Sequence, residues 1–366
     1  MTALRVLIVG AGIAGLALAR ALHQRGVTAE VVERVSKWEP GGAGLYLPGN
    51  AVRALGELGI GPALSAAANP IGRQRLLDHR GRILADIDVD QVWEGVGSCV
   101  AIHRAALHEI LLGATVEAPA RLGTSVTEVE DGQAPRVTFS DGSTGSYDLV
   151  VGADGVHSTI RNIALGGPEA RYVGQASWRF LADGFPDISD WTVMLGRGRS
   201  FLTVGLGAGA VYCYADLNTS DPAGAAREDW RQSFADFAEP VPRLLEQASE
   251  AYFAPIEEVV PPSWRGRRVV LVGDAAHASS PNMAQGAAMA VEDALLLAEM
   301  VTTEETLDEA LAAYEQRRQP RVTWVQEQTH RRDRTRSLPP VVRNLTLRLA
   351  AERIYRSNYR PLLDSP

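Results

Sequence analysis

The stretch that decides the fold is residues 4–15, Leu-Arg-Val-Leu-Ile-Val-Gly-Ala-Gly-Ile-Ala-Gly. Its apolar first half predicts a buried parallel strand, and residues 16–24 predict the helix that follows. Gly10 permits a tight turn, Gly12 lets the backbone approach a pyrophosphate, and Gly15 lets helix and strand pack closely. The free N–H groups and the positive dipole end of that helix favour bound phosphates. The stretch therefore predicts a dinucleotide-binding loop.

A second predicted strand, residues 28–32, ends in Glu33. A carboxylate at that place accepts hydrogen bonds from the ribose hydroxyls of a dinucleotide. Strand, glycine turn, helix, strand and acid occur in the expected order, which favours nucleotide binding over a merely glycine-rich turn. The pattern does not separate NAD from FAD, because both contain ADP.

Two later stretches each place an acidic residue after an apolar strand. In residues 147–161 the strand runs into Gly152-Ala153-Asp154-Gly155, which by itself is equally well explained as a plain strand–turn–helix. In residues 268–277 the strand delivers Asp274 to the carboxyl edge of a parallel sheet, where it can hydrogen-bond a polyol chain. A helix beginning near Ala284 directs its positive end at an anion such as a reduced flavin.

These three motifs, in this order and spacing, resemble the aromatic-hydroxylase (para-hydroxybenzoate hydroxylase-like, group A) family of FAD-dependent monooxygenases, over nearly the whole chain. The resemblance implies an α/β fold with a Rossmann-like FAD-binding domain of the glutathione-reductase type (GR2). It also implies an inserted antiparallel-sheet substrate domain and a C-terminal helical segment. The predicted division of the chain is 1–72, 96–170 and 260–320 for the FAD-binding domain, 73–95 and 171–259 for the substrate domain, and 321–366 for the C-terminal segment.

The resemblance also implies which residues hold a non-covalent FAD. Arg104 matches a family arginine that contacts FAD, although an exposed helix residue is an alternative interpretation. Ala284 departs from the family, which usually has glycine at that place, and the change puts details of flavin mobility in question. The predicted FAD-binding residues are Gly10, Gly12, Ala14, Gly15, Glu33, Arg34, Tyr46, Arg104, Val126, Asp154, Gly155, Gly273, Asp274, Ala284, Gln285, Gly286, Ala287 and Ala288.

Short strand-like runs separated by turns, between residues 171 and 259, predict an antiparallel sheet above the flavin. Alternation along the strands places Trp178 and Phe180 on one face, and Tyr212 and Tyr214 on one face of another strand. We expect these four rings to bind a flat substrate, although each is equally well explained as core. Tyr212, which can orient the substrate or pass a proton, and Pro281, beside the reacting edge, are the candidate catalytic residues.

The resemblance implies a reaction cycle. NADH or NADPH, bound transiently, reduces the flavin; O2 then adds at its C4a carbon, and the hydroperoxide hydroxylates a small aromatic or heteroaromatic substrate. The sheet region is similar to that of urate, salicylate and 6-hydroxynicotinate hydroxylases, but Ser200 lies where the urate enzymes have a substrate arginine. An FAD-dependent reductase, desaturase or epoxidase and a non-catalytic flavin-binding sensor stay open. A flavin-dependent halogenase shares the FAD fold but relies on a lysine in its active site. Lys37 is the only lysine of this chain and lies just past the predicted ribose-binding Glu33, so we reject a halogenase.

Composition limits the classes of binding partner and the cellular compartment that we expect for this protein. The net charge of −8 argues against nucleic acid. Two cysteines and scattered histidines predict a reducing compartment and no metal site. We find no signal peptide and no apolar run long enough to span a bilayer, so we expect a cytoplasmic monomer or homodimer without stable membrane insertion. The basic run at 331–336 is interpreted as a solvated or docking face.

Overall fold

The computed structural model describes residues 4–38, 43–116 and 118–366. Its strands, in chain order, are β1 Val6–Val9, β2 Ala29–Glu33, β3 Gly44–Leu47, β4 Asn69–Pro70, β5 Arg73–Asp78, β6 Ile83–Asp88, β7 Val100–His103, β8 Ala120–Leu122, β9 Val126–Glu130, β10 Arg136–Phe139, β11 Thr144–Ser146, β12 Leu149–Gly152, β13 Arg171–Ala182, β14 Trp191–Leu195, β15 Arg199–Gly207, β16 Ala210–Asn218, β17 Tyr252–Glu258 and β18 Val269–Leu271. Its α-helices are α1 Ile13–Gln24, α2 Gly49–Glu57, α3 Gly61–Ala67, α4 Val89–Val92, α5 Arg104–Gly113, α6 Thr159–Leu165, α7 Pro222–Arg227, α8 Val241–Leu245, α9 Asp274–His277, α10 Gly286–Thr303, α11 Leu307–Arg336 and α12 Pro340–Tyr359.

The first sheet is parallel and has the strand order β18-β12-β1-β2-β8. Strand β1 is buried along its whole length, which is why it is an uninterrupted apolar run. Strands β2 and β8 lie on one side of β1, and β12 and β18 lie on the other. The order in which strands are added therefore changes direction between β1 and β12. In such sheets the ligand crevice lies beyond the carboxyl ends of the strands at that reversal. This sheet confirms the predicted Rossmann-like α/β class.

The second large sheet has seven strands in the order β17-β13-β16-β15-β14-β5-β6. All neighbours are antiparallel except β14 and β5, which are parallel. The strands of residues 73–88 and 171–258 therefore share one sheet. The glycine-rich stretch at 205–209 ends β15, and its last two residues, Ala208 and Gly209, form the turn into β16. One face of this sheet packs on an apolar cluster that includes Phe201, Phe234 and Phe237. The other face lies over the carboxyl edge of the parallel sheet.

The C-terminal helices differ from the predicted division of the chain. Helix α11 has 30 residues and continues through Pro320, so the predicted boundary between 320 and 321 falls inside a helix. The helix begins with a capping box in which Thr306 and Glu309 each bond the other's backbone N–H. Its side chains reach α10 on both sides of Pro320, which holds it in one piece. No helix in the described part of the chain has an apolar stretch that would cross a bilayer.

A buried ion-pair network joins α11 to α10. The Arg318 guanidinium, which is 0% exposed, donates to Asp293 at 2.7 Å and to Glu292 at 2.8 Å. Arg321 adds a second guanidinium on Glu292 at 2.7 Å. Burial opposes ionisation of Asp293, but the adjacent His277 and Arg318 outweigh it and lower the pKa of that carboxyl. The network is therefore charged and internally compensated.

Replacing Arg318 by methionine is expected to lower the free energy of unfolding by about 3–5 kcal/mol, because it leaves two buried carboxylates under-compensated. Denaturant unfolding of the FAD-free protein measures the change. The loss is expected to shrink in acid. The folded-state pKa values of Glu292 and Asp293 are lowered, so the network stabilises the fold above the unfolded-state value of about 4 and loses its effect as the pH falls through the folded values.

Arg317→Met is the matched control. Arg317 is the preceding residue of α11, and its side chain is 49% exposed. It lies 3.8 Å from Glu299 and donates an exposed hydrogen bond to the Pro366 carbonyl at 2.8 Å. Such a surface pair contributes about 0–1 kcal/mol. Equal losses for the two variants would contradict a structural role for the buried network.

Candidate functional site

A cavity of about 1730 Å³ lies between the carboxyl edge of the parallel sheet, the seven-stranded sheet and helices α11 and α12. Residues from all three predicted motifs meet on its walls, although they are up to 275 positions apart in sequence. The predicted FAD-binding residues that line it are Gly12, Ala14, Arg34, Tyr46, Arg104, Asp154, Gly155, Asp274, Ala284, Gly286 and Ala287.

Three glycines of the cavity wall leave a cradle that side chains would fill. A Cβ built on Gly12 or Gly155 meets no atom within 4 Å, and one on Gly286 meets only Asp274 Oδ1, at 3.9 Å. Gly12 and Gly286 stand at the N-termini of α1 and α10, whose free N–H groups and positive dipole ends face the same space. The cradle thus offers close backbone approach and a favourable field to an extended anionic ligand.

Three other predicted glycines do not line the cavity, and their role is packing. A Cβ on Gly15 would lie 1.9 Å from the carbonyl oxygen of Gly10, so helix α1 approaches the turn only because that residue has no side chain. Gly10 and Gly273 have φ values of 104° and 60°, in the range that favours glycine. A Cβ on Gly273 would also come within 2.9 Å of Ala14 Cβ. These residues shape the loops from which the cradle is built.

The acidic residues of the motifs lie at the carboxyl ends of three strands. Glu33 accepts hydrogen bonds from the Ala11 N–H at 2.9 Å and the Val35 N–H at 3.1 Å, so it fixes the glycine loop and lies outside the cavity lining. Asp154 accepts from Ser158 Oγ at 2.5 Å, and burial raises the pKa of its carboxyl. Asp274 is exposed to the cavity, where its carboxylate can meet a polyol.

Val126, Gln285 and Ala288 are buried outside the cavity lining. The side-chain amides of Gln285 and Asn50 form two hydrogen bonds with each other, of 2.9 and 3.2 Å. Ala284 lines the cavity in the left-handed conformation, with φ 50° and ψ 34°. That backbone explains why the family usually has glycine at this position, since a Cβ costs about 1–2 kcal/mol there.

The cradle fits FAD on its own geometry. It is lined by the Gly12 loop, the Asp154–Gly155 turn and the start of α10, and it presents open backbone at each of these points. Its ends match the ligand's chemistry, because helix N-termini favour phosphates and a reduced flavin ring, and Asp274 favours hydroxyl groups. The described chain has no group of three His, Cys, Asp or Glu side chains placed to hold a metal ion.

The seven-stranded sheet roofs the cavity, and the four predicted aromatic residues divide between its two faces. Tyr212 and Tyr214 line the cavity. Trp178 stacks on Trp230 on the opposite face, with ring centroids 5.1 Å apart and planes at 11°. The ring of Phe180 packs beside Trp230 and Phe201, although the residue contributes to the cavity wall.

Strand register explains this division. Trp178 and Phe180 pair with Ala215 and Cys213, whereas Arg179 pairs with Tyr214. Paired residues share a face of the sheet, so Arg179 takes the place that the sequence analysis gave to Trp178. This corrects the expectation that both aromatic residues of β13 face the substrate.

Pro281 lines the cavity, and the turn that follows it is held by the basic end of α11. Arg332 Nη1 donates to the Asn282 carbonyl at 2.7 Å, and Asn282 donates its side-chain amide to Asp333. Farther along, Arg336 pairs with Asp216 on β16. The basic run at 331–336 is therefore part of the cavity wall in addition to its exposed positions. No local pattern indicated this, because each contact joins residues at least 50 positions apart.

Asp293 is a further residue that the sequence analysis missed. Its Oδ2 accepts from the Gly273 N–H at 2.9 Å and lies 2.6 Å from His277 Nε2. The buried network of Arg318 therefore ends on the turn that carries Asp274. An acidic pair inside an apolar helix was the available signal, since carboxylates are rarely fully buried without a partner.

Gly12→Ala is expected to weaken FAD binding without destabilising the apoprotein, because the added methyl group fills only the cradle. We expect the dissociation constant for FAD to rise at least about tenfold, which is 1.4 kcal/mol. Titration of the apoprotein with FAD, followed by flavin fluorescence, measures it. Gly15→Ala is the contrasting variant, since its methyl group would collide with the Gly10 carbonyl and lower the melting temperature. A Gly12→Ala protein that binds FAD as the parent does would refute the assignment of the cradle.

Known proteins provide an independent comparison. The family model described as FAD binding domain matches residues 3–329. The chain is 36% identical over 325 residues to the aurachin C monooxygenase/isomerase of Stigmatella aurantiaca, covering 86% of this chain and 85% of the relative. It is 33% identical over 335 residues to the 2-heptyl-3-hydroxy-4(1H)-quinolone synthase of Pseudomonas aeruginosa, covering 88% and 87%.

Solved structures agree. Klebsiella pneumoniae HpxO, solved with FAD and uric acid, superposes with a TM-score of 0.89 at 28% identity, covering 99% of this chain and 97% of that one. Motifs, cradle and relatives lead to one conclusion. The chain belongs to the FAD binding domain family and is an FAD-dependent monooxygenase of the aromatic-hydroxylase type.

Proposed function

We propose that the protein hydroxylates a small aromatic or heteroaromatic substrate, using NADH or NADPH as reductant and O2 as oxidant. The observation that carries the proposal is that one cavity contains both the FAD cradle and an aromatic roof. Ligand pockets usually measure about 300–1,000 Å³. The volume of about 1730 Å³ therefore leaves room for a substrate beside the cofactor.

The reductant is expected to bind transiently. The described chain contains one glycine-rich strand–turn–helix loop with a dinucleotide geometry, and FAD uses it. A nicotinamide donor would therefore reach the flavin through the open side of the same cavity and leave after reducing it. The assay below compares NADH with NADPH.

FAD, when bound, would accept two electrons from NADH or NADPH and pass them to O2, which is the redox chemistry that the protein's own side chains do not supply. The protein's part is orientation, charge and exclusion of water. The N-terminus of α10 faces the cradle and favours negative charge on the flavin ring. Pro281 and the turn held by Arg332 and Asp333 form a fixed wall next to it. The seven-stranded sheet closes the cavity from above, which keeps water from the reacting groups.

Tyr212 is placed to orient the substrate. Its Cβ lies against Gly44, where any side chain on the glycine would approach to 2.5 Å, so the roof and the FAD-binding part touch at this tyrosine. Burial raises the pKa of Tyr212 to about 12, which keeps the phenol protonated across the physiological range. Tyr212 therefore acts as a hydroxyl donor and acceptor and not as a base.

The proposal is tested by incubating the FAD-loaded protein with NADH or NADPH and a panel of hydroxylated and carboxylated aromatic compounds under ¹⁸O2. We expect at least one compound to stimulate pyridine-nucleotide oxidation and to yield a product that carries one ¹⁸O atom. A product reduced or desaturated without ¹⁸O would instead establish a reductase or desaturase. Absence of stimulation across the panel would favour a flavin-binding sensor.

Tyr212→Phe is expected to lower kcat for hydroxylation by about 100-fold while FAD binding is unchanged, because the lost hydroxyl no longer orients the substrate. The pH profile of the residual activity should keep the inflections of the parent below pH 10, since Tyr212 does not titrate there. Tyr172→Phe is the control on the same sheet, because its hydroxyl bonds the Thr219 carbonyl outside the cavity. Equal effects of the two variants would remove Tyr212 from the reaction.

A further inference from the structure

Arg179 is a cavity residue with unused hydrogen-bonding capacity. It lies in β13, near the middle of the face that roofs the cavity. Its guanidinium carbon is 5.5 Å from the centroid of the Tyr214 ring, which holds the side chain flat against the roof. Its Nε atom is buried and has no hydrogen-bond partner within the described residues.

Two other arginines at this end of the cavity have protein partners, although the Nε of Arg336, like that of Arg179, is buried without a hydrogen-bond partner among the described residues. Arg336 pairs with Asp216, which also accepts from Ser200 at 2.7 Å. Arg343 donates to the carbonyl oxygens of Leu195 and Gly196. Arg179 has no carboxylate within ion-pair distance in residues 4–38, 43–116 and 118–366.

The residues next to Arg179 do not supply a negative charge. Burial raises the pKa of Tyr212 and of Tyr214 to about 12, so both phenols are neutral near pH 7. The side chain of Arg179 is half-buried, and its buried Nε donor costs free energy unless a ligand accepts its hydrogen bond. Its planar fork of N–H donors matches the geometry of a carboxylate and also suits a single anionic oxygen.

We propose that Arg179 binds an anionic oxygen, a carboxylate or a phenolate, on the ring of the substrate. The inference rests on the proposed function and narrows its substrate class to aromatic compounds that carry such a group. Tyr214 stacks on one side of the guanidinium, and the roof orients the ring beneath it. Arg179 is thus a residue that determines specificity.

The test measures equilibrium binding to the oxidised FAD-loaded protein, by the change in the flavin absorption spectrum, without NAD(P)H. Benzoate and benzamide form one matched pair of probes, and 4-nitrophenolate and nitrobenzene form the other. The pairs distinguish a carboxylate site from a phenolate site. At least one anion is expected to bind about tenfold or more tightly than its neutral counterpart.

Arg179→Gln is expected to weaken binding of that anion by about 10- to 100-fold and to leave the neutral counterpart unchanged, because a hydrogen bond to a charged group is lost. Arg179→Lys should restore part of the affinity, since it keeps the charge and loses the fork. Arg75→Gln removes one positive charge from the same sheet outside the cavity and should bind all probes as the parent does.

Three results would overturn the assignment: equal affinity of the parent for each anion and its neutral counterpart, equal weakening of both in Arg179→Gln, or no binding of any probe. Failure of the proposed function is separate. Binding needs neither reductant nor O2, so an anion-selective Arg179 site without ¹⁸O incorporation would leave this inference standing while rejecting hydroxylation. Hydroxylation of neutral compounds alone would support the proposed function and reject the assignment of Arg179.

Discussion

The structure depends on a fully buried guanidinium that is held by two buried carboxylates. Arg318 of α11 forms ion pairs with Glu292 and Asp293 of α10. Asp293 also accepts a hydrogen bond from the Gly273 N–H, which fixes the position of that turn. Such a network tolerates few alternative arrangements, because each charge becomes costly when its partner moves. The turn that carries Asp274 and the helix whose N-terminus faces the flavin are therefore fixed relative to each other by one set of contacts.

The cavity follows from close backbone approaches around that fixed point. Glycines with no room for a Cβ allow α1, β12 and α10 to pack closely together. Glycines with open space beside them form the cradle, because no side chain fills that space. The same chain thus uses one residue type in two ways, for packing and for ligand access. The roof is a separate sheet, and it completes the site by placing Tyr212, Tyr214 and Arg179 over the cradle.

Local sequence was sufficient for the FAD-binding part and insufficient for the roof. The glycine loop and its acid lie within residues 4–33, so their spacing alone predicts the strand–turn–helix. Alternation along β13 separates Trp178 from Arg179, but it does not tell which of them shares a face with Tyr214. That depends on the register between β13 and β16, which is set by long-range pairing. The aromatic residue was the more attractive candidate, and the charged one occupies the cavity face.

The contacts between the end of α11 and the rest of the site also determine when the cavity wall can form during synthesis of the chain. All strands of both large sheets belong to residues 6–271, whereas Arg332 and Arg336, which close the cavity wall, come from the end of α11, after the last strand. During synthesis the sheets can assemble while this wall is still in the ribosome. Until α11 has emerged, the nascent chain therefore exposes a flavin cleft that lacks this wall, and the pocket is complete only after residues 332–336 have left the ribosome.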